Sequence, residues 1–265
     1  MNSPFSLAPL VITLSAILAA LAGCWRPPTP TPQQLDHGLI VLFPGIEGGP
    51  WQVEGPTRAF RAAGVKSAII AHDWKRFART LANLIDYENN RKAAGRRAAE
   101  ITKYALDHPG RPIDLVGYSG GGGLAIFVVE ALPDDPRVRV RNVVLAQAAI
   151  SPGYDLRPAL RHMDGVIVNL YSRLDKAVLG LGTELFGTMD RVHSRSVGEI
   201  GFDIDRAAPD DALRARVIQR GWSPDDETLG HNGGHLDIVA RAWNRVVIAP
   251  YLTDSQSGLG AAGAR

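Results

Sequence analysis

The sequence predicts an α/β protein, a mostly parallel sheet of about six strands with helices on both faces. Two observations predict it. Short, β-branched apolar runs alternate along the chain with stretches of helical period. The first five of those runs are hydrophobic at almost every position, as strands covered on both faces must be.

In chain order, the expected strands are Leu39–Phe43, Ser67–Ala71, Ile113–Gly117, Asn142–Ala146, Val166–Tyr171 and, on weaker patterning, Ser196–Gly201. Helices are expected at Pro56–Ala63, Arg76–Leu106, Gly122–Leu132, Arg206–Gln219 and Leu236–Val247. In the longest of these, Phe77, Leu81, Leu84 and Ile85 recur at helical spacing, and Ile101, Tyr104 and Ala105 resume it. Gly95 is the expected break between the two halves, and Pro109-Gly110 stops the second. Strand and helix alternating in this way require right-handed crossovers, which make the sheet parallel. Ligands of such sheets sit beyond the carboxyl ends of the strands.

The chain has 265 residues, 45% hydrophobic and 21% charged, enough for one substantial domain with a full core. A formal charge of +2, with the basic residues scattered, gives no electrostatic case for nucleic acid. The densest positive stretch, Arg91–Arg97, reads as a solvated helix face.

The single cysteine, Cys24, has no partner for an intrachain disulfide. It ends an apolar run, Leu10–Ala22, of about 13 residues, too short for a relaxed membrane span and suited to the core of an export signal. Leu21-Ala22-Gly23-Cys24 resembles the lipobox of bacterial lipoproteins, although Met1–Leu7 carries no Lys or Arg. The resemblance implies export to a bacterial cell envelope and a membrane anchor through lipid on Cys24. A conventionally cleaved signal and an uncleaved anchor are the alternatives. Arg26–Gln34 is dense in proline and reads as a semi-rigid spacer. The expected organisation is a signal at 1–23, a lipid-anchored Pro-rich linker at 24–37, an α/β domain at 38–252 and a loose tail at 253–265.

At the end of the third expected strand stands Gly117-Tyr118-Ser119-Gly120-Gly121, a G-x-S-x-G turn with an apolar strand before it and a Gly-rich helix start after it. The turn is tight enough to thrust Ser119 up at a helix N-terminus, where unpaired amides favour developing negative charge. A Walker-type phosphate loop would need a lysine that Gly123-Leu124-Ala125 does not supply.

A serine hydroxyl needs a base. Of seven histidines, His235 is best placed, in a glycine-rich loop near the end of the domain, and His231 is its rival. His72 follows a strand end but comes early in the chain. The third member should be a carboxylate that orients the imidazole. Asp175 follows the strand Val166–Tyr171 through a short turn. Asp164 is at the wrong end of that strand, Asp190, Asp203, Asp205 and Asp225 are substitutes, and Asp237 is expected to cap the last helix. Oxyanion donors are expected from the amides of Gly120 and Ile46, with Glu47 second to Ile46. Trp51 and Trp74 follow strand ends and are candidates for an apolar acyl pocket or for packing.

With its early glycine-rich loop, serine turn, acid and histidine in the order Ser119, Asp175, His235, the chain resembles the α/β-hydrolase superfamily over roughly Gly38–Leu252. The sheet is a reduced version, since no strand pair precedes Leu39. A short stretch from Ala146 to Asp164, where many members insert a lid, suggests an open site. The resemblance implies hydrolysis of a small-molecule or lipid ester, thioester or amide through an acyl-enzyme. A peptidase, an acyltransferase and a non-catalytic binding lipoprotein are the alternatives. No histidine–carboxylate spacing suggests zinc and no dinucleotide fingerprint is present, so neither metal nor organic cofactor is expected. The sequence leaves the oligomeric state open.

Overall fold

The computed structural model describes residues 28–46, 48–72, 86–175 and 187–253. Six parallel strands form one sheet: β1 (Leu39–Phe43), β2 (Ala68–Ala71), β3 (Ile113–Tyr118), β4 (Asn142–Ala146), β5 (Ile167–Tyr171) and β6 (Val217–Gly221). Their order is β2-β1-β3-β4-β5-β6. In β1, Leu39, Val41 and Phe43 face one hydrophobic cluster, while Ile40 and Leu42 face the other. Period-two alternation thus places both side-chain sets in a core, which explains the unbroken apolar run.

Four longer helices are α1 (Pro32–His37), α2 (Pro50–Ala62), α3 (Tyr87–Asp107) and α4 (Gly120–Glu130). Ile101 of α3 and Leu124–Val129 of α4 pack on the first face. The second face is covered by Val53, Ala59 and Phe60 of α2 and by Trp243, Ile248 and Leu252 from the C-terminal turns. Each fully buried side chain of this size contributes about 1.5–3 kcal/mol against exposure. Within the stretch read as spacer, α1 forms a capped turn. Thr31 and Gln34 make a reciprocal capping box, and Tyr104 Oη donates to the Leu35 carbonyl across 2.6 Å.

The last third departs from the sequence reading. Ser196–Gly201 is not a strand: Val197–Ile200 is a helical turn, ended by Gly201 at φ 86°. The sixth strand is instead Val217–Gly221, inside the expected helix Arg206–Gln219. Pro209 interrupts that helix, leaving the turns Ile204–Ala207 and Asp211–Arg214. β6 escaped notice because it is an edge strand, half-buried, with only Val217 and Ile218 strongly apolar. Gly95 does not break α3, which runs through it. It is exposed with open space around it, so it costs propensity and nothing else. The half of that region over Arg76–Ile85 lies outside the described residues. The final helix Leu236–Val247 is resolved into a 3₁₀ turn His235–Val239, a turn of α-helix Arg241–Trp243 and a π turn Asn244–Ile248.

The strand order positions the site. β2 lies on one side of β1 and β3 to β6 on the other, so the connections diverge between β1 and β3 and open a crevice at their carboxyl ends. Phe43, the last residue of β1, is in register with Gly117, two residues before Ser119.

Candidate active site

Ser119 sits between β3 and α4 at φ 54° and ψ −126°, a conformation that side chains rarely adopt. What holds it there is steric. A Cβ on Gly117 would stand 2.5 Å from the Gly122 Cα, and one on Gly121 would stand 2.1 Å from the Phe43 carbonyl oxygen. Gly122 and Gly123 are equally confined, by Ala148 at 2.4 Å and Met189 at 2.8 Å. Gly121 therefore lets α4 start against the end of β1, Gly117 lets it fold back on β3, and Ser119 takes the bend that remains. Its backbone N–H donates to the Ala146 carbonyl and its own carbonyl accepts from Ala149.

The imidazole of His235 bridges the other two candidates. Its Nε2 is 2.8 Å from Ser119 Oγ and its Nδ1 is 2.5 Å from Asp175 Oδ2. Ser119, Asp175 and His235 are buried, at 4%, 2% and 6% exposure. With Asp175 ionised, Nδ1 carries the proton it donates, and Nε2 keeps a lone pair for the serine hydroxyl. The three residues come from the ends of β3 and β5 and from the loop after β6, all at the carboxyl edge of the sheet.

The rivals are placed elsewhere. His231 Nδ1 accepts from the Gly233 N–H across 3.0 Å, and its ring meets Trp243 edge-on at 4.6 Å. Burial holds its pKa below the usual imidazole range. His72 Nδ1 accepts from the Arg97 guanidinium, and burial first, then Arg97 and Arg96, push its pKa down to about 3. Asp190 accepts from the Ser151 N–H and the Thr188 hydroxyl, while Asp164 pairs with Arg139 and Asp205 with Arg214. Asp203 precedes the turn Ile204–Ala207 as its N-cap residue and Asp225 stands in the first turn of Pro224–Leu229, both away from the three site residues in the chain. Asp237 does not cap a helix with its side chain. Its Oδ2 accepts from the Asn232 N–H at 3.0 Å, closing the loop that carries His235.

Gly120 is the first residue of α4, so its N–H has no acceptor one turn back. Ile46 lies in the loop after β1, whose start abuts α4 at Gly121. Neither amide donates to a backbone carbonyl among the described residues. Trp51 is 42% exposed at the start of α2 and is not packed into the core. Cys24, Glu47 and Trp74 lie outside the described residues. Among the described residues, no group of three or more His, Cys, Asp or Glu is arranged to hold a metal ion.

Sequence reasoning missed Gln147 and Ser172, the residues that follow β4 and β5. Their only signal was position, one step past the carboxyl end of an apolar strand.

No family model matches the chain, and no curated protein does. Among solved structures it is similar to a Trichoderma reesei cutinase in complex with a C11Y4 phosphonate inhibitor. That likeness has 12% identity and a TM-score of 0.41, covering 94% of this chain and 91% of the other. It is also similar to RedJ with a PEG molecule bound in its active site, at 14% identity and a TM-score of 0.39. Here 82% of this chain and 98% of the other are covered. Likenesses this distant add nothing to what the sheet and the site geometry establish.

Proposed function

We propose that the chain is a serine hydrolase of the α/β-hydrolase type that cleaves a carboxylic ester through an acyl-enzyme. The observation that carries this reading is the unbroken line from Asp175 Oδ2 through the His235 ring to Ser119 Oγ, at 2.5 and 2.8 Å. A hydroxyl at such a distance from a neutral imidazole can pass its proton as it attacks.

Ser119 Oγ attacks the acyl carbon while His235 Nε2 takes its proton. Asp175 supports the resulting imidazolium, and the Gly120 and Ile46 amides receive the charge on the former carbonyl oxygen. Each such donor is worth about 3–4 kcal/mol to the transition state. The tetrahedral intermediate collapses as His235 returns the proton to the leaving alcohol, giving acyl-Ser119. Water then attacks with the same base, and the acid departs with Ser119 protonated again.

The test is turnover of p-nitrophenyl esters of rising chain length by the purified protein and by Ser119→Ala. Hydrolysis abolished by the substitution is the expected result. An unchanged rate in Ser119→Ala would put the hydrolysis on another group and overturn the role of Ser119, whereas no turnover of any ester by the native chain would support a binding lipoprotein instead.

The proposal includes a bacterial envelope location with lipid on Cys24, supported by the Leu21-Ala22-Gly23-Cys24 pattern. Cys24→Ala should then release the protein from membranes, and unaltered retention would count against the anchor.

A further inference from the structure

The loop carrying His235 is held by side chains that take no part in the chemistry. Gly233, two residues before His235, has φ +86°, and a Cβ there would come within 2.7 Å of Leu174 Cδ1. Its peptide groups are gripped from both sides. The N–H donates to His231 Nδ1 at 3.0 Å. The carbonyl accepts from Ser172 Oγ at 2.7 Å and from Gln147 Nε2 at 3.3 Å. Gln147, Ser172 and His231 are 1%, 1% and 2% exposed.

Ser172 does more than hold the loop. Its hydroxyl also accepts from the Leu174 N–H at 3.3 Å, and its carbonyl accepts from the Asp175 N–H at 3.2 Å. One residue therefore touches both the turn that presents the acid and the loop that presents the base. Ser172 is fixed in turn by its N–H to the Gly198 carbonyl at 2.9 Å. Gln147 is fixed by its φ of 46° and by Gly198, where a Cβ would meet the Gln147 carbonyl carbon at 2.2 Å. Apolar side chains of the same size would fill this space without the cost of burying polar groups. Their use around one glycine points to geometry as the gain.

Resting on the proposed function above, we infer that Ser172, Gln147 and His231 are positioning residues for His235, with Ser172 setting the acid and the base relative to each other. Displacing a reacting group by about 1 Å can cost a hundredfold in rate, so the grip on Gly233 controls turnover without touching substrate.

The test compares Ser172→Ala, Ser172→Thr and Gln147→Leu with the native protein. The measurements are the steady-state kinetics of p-nitrophenyl acetate, the thermal midpoint and the downfield proton resonance of His235 Nδ1–H. Ser172→Ala should lower kcat by about 10- to 100-fold with KM little changed, and weaken that resonance. Ser172→Thr, which keeps the hydroxyl, should restore both, and Gln147→Leu should give a smaller loss of the same kind. Folded Ser172→Ala and Gln147→Leu with native kcat and an unaltered resonance would overturn the inference. A loss explained wholly by a lower folded fraction would also overturn it. Should Ser172→Ala fail to fold, Gln147→Leu decides by the same criteria. The resonance separates this from the larger reading: a native protein without esterase turnover undermines the proposed function, whereas a resonance indifferent to both variants undermines the positioning role.

Discussion

The proposed nucleophile and the proposed base reach the same point by different physics. Ser119 is placed by excluded volume: Gly117 and Gly121 let backbones meet, Gly122 and Gly123 make room for Ala148 and Met189, and the serine occupies the strained conformation that remains. His235 is placed by polar contacts, with Gly233 held by Gln147, Ser172 and His231 and the loop closed by Asp237. Repulsion at close range rises steeply, so the first arrangement tolerates almost no added atom. Hydrogen bonds are shallower and each is worth about 1 kcal/mol net, so the second should yield by degrees. Damage to the elbow should therefore appear as lost folding, and damage around the histidine as lost turnover in a folded protein.

The largest effect should come from the polar side. Asp175→Asn keeps the shape but favours the wrong imidazole tautomer, and kcat should fall about 10⁴-fold with the melting temperature little changed. Steady-state kinetics beside a thermal melt will check it. On the steric side, Gly121→Ala forces a methyl to 2.1 Å from the Phe43 carbonyl oxygen. It should destabilise by about 3 kcal/mol or more, read as a lower denaturant midpoint or loss of soluble protein.

A third expectation concerns acid. His72, His162 and His231 have pKa values lowered chiefly by burial, that of His72 to about 3. The unfolded chain takes up these protons near pH 6.5, before the folded one does, so stability is complete above that pH and declines as pH falls toward the folded values. Between pH 6.5 and 4.5 the loss through His72 should be about 2 kcal/mol, measured as urea midpoints across that range. His72→Gln should flatten the decline. The smallest effect tests the strain itself. Ser119→Gly removes the side chain from φ 54°, and the inactive protein should be more stable than native by about 1 kcal/mol. A loss of stability would mean that the elbow is not strained.

The same division explains what the sequence disclosed. Five strands were legible because burial on both faces leaves few polar positions in them, with Asp114, Asn142 and Asn169 as exceptions. The elbow was legible because its steric demand can be met by one residue type, and glycine at 117, 121, 122 and 123 records it. Asp175 could be ranked by the strand end it follows and His235 by its glycine-rich loop near the end of the domain, and the structure brings both to Ser119. β6 was hidden because an edge strand needs apolar residues on little of its surface, and Ser196–Gly201 imitated a strand without pairing as one. Gln147 and Ser172 were hidden for a different reason. A side chain that bonds a backbone carbonyl 61 or 86 positions away leaves no local pattern.

The central claim is that the Ser119 hydroxyl is activated by His235. Reaction with a fluorophosphonate, followed by peptide mass spectrometry, tests it most directly because it needs no knowledge of the natural ester. A single adduct on Ser119, formed by the native protein and lost in folded His235→Gln, is the predicted result. No adduct, an adduct on another residue, or equal labelling without the imidazole would contradict it.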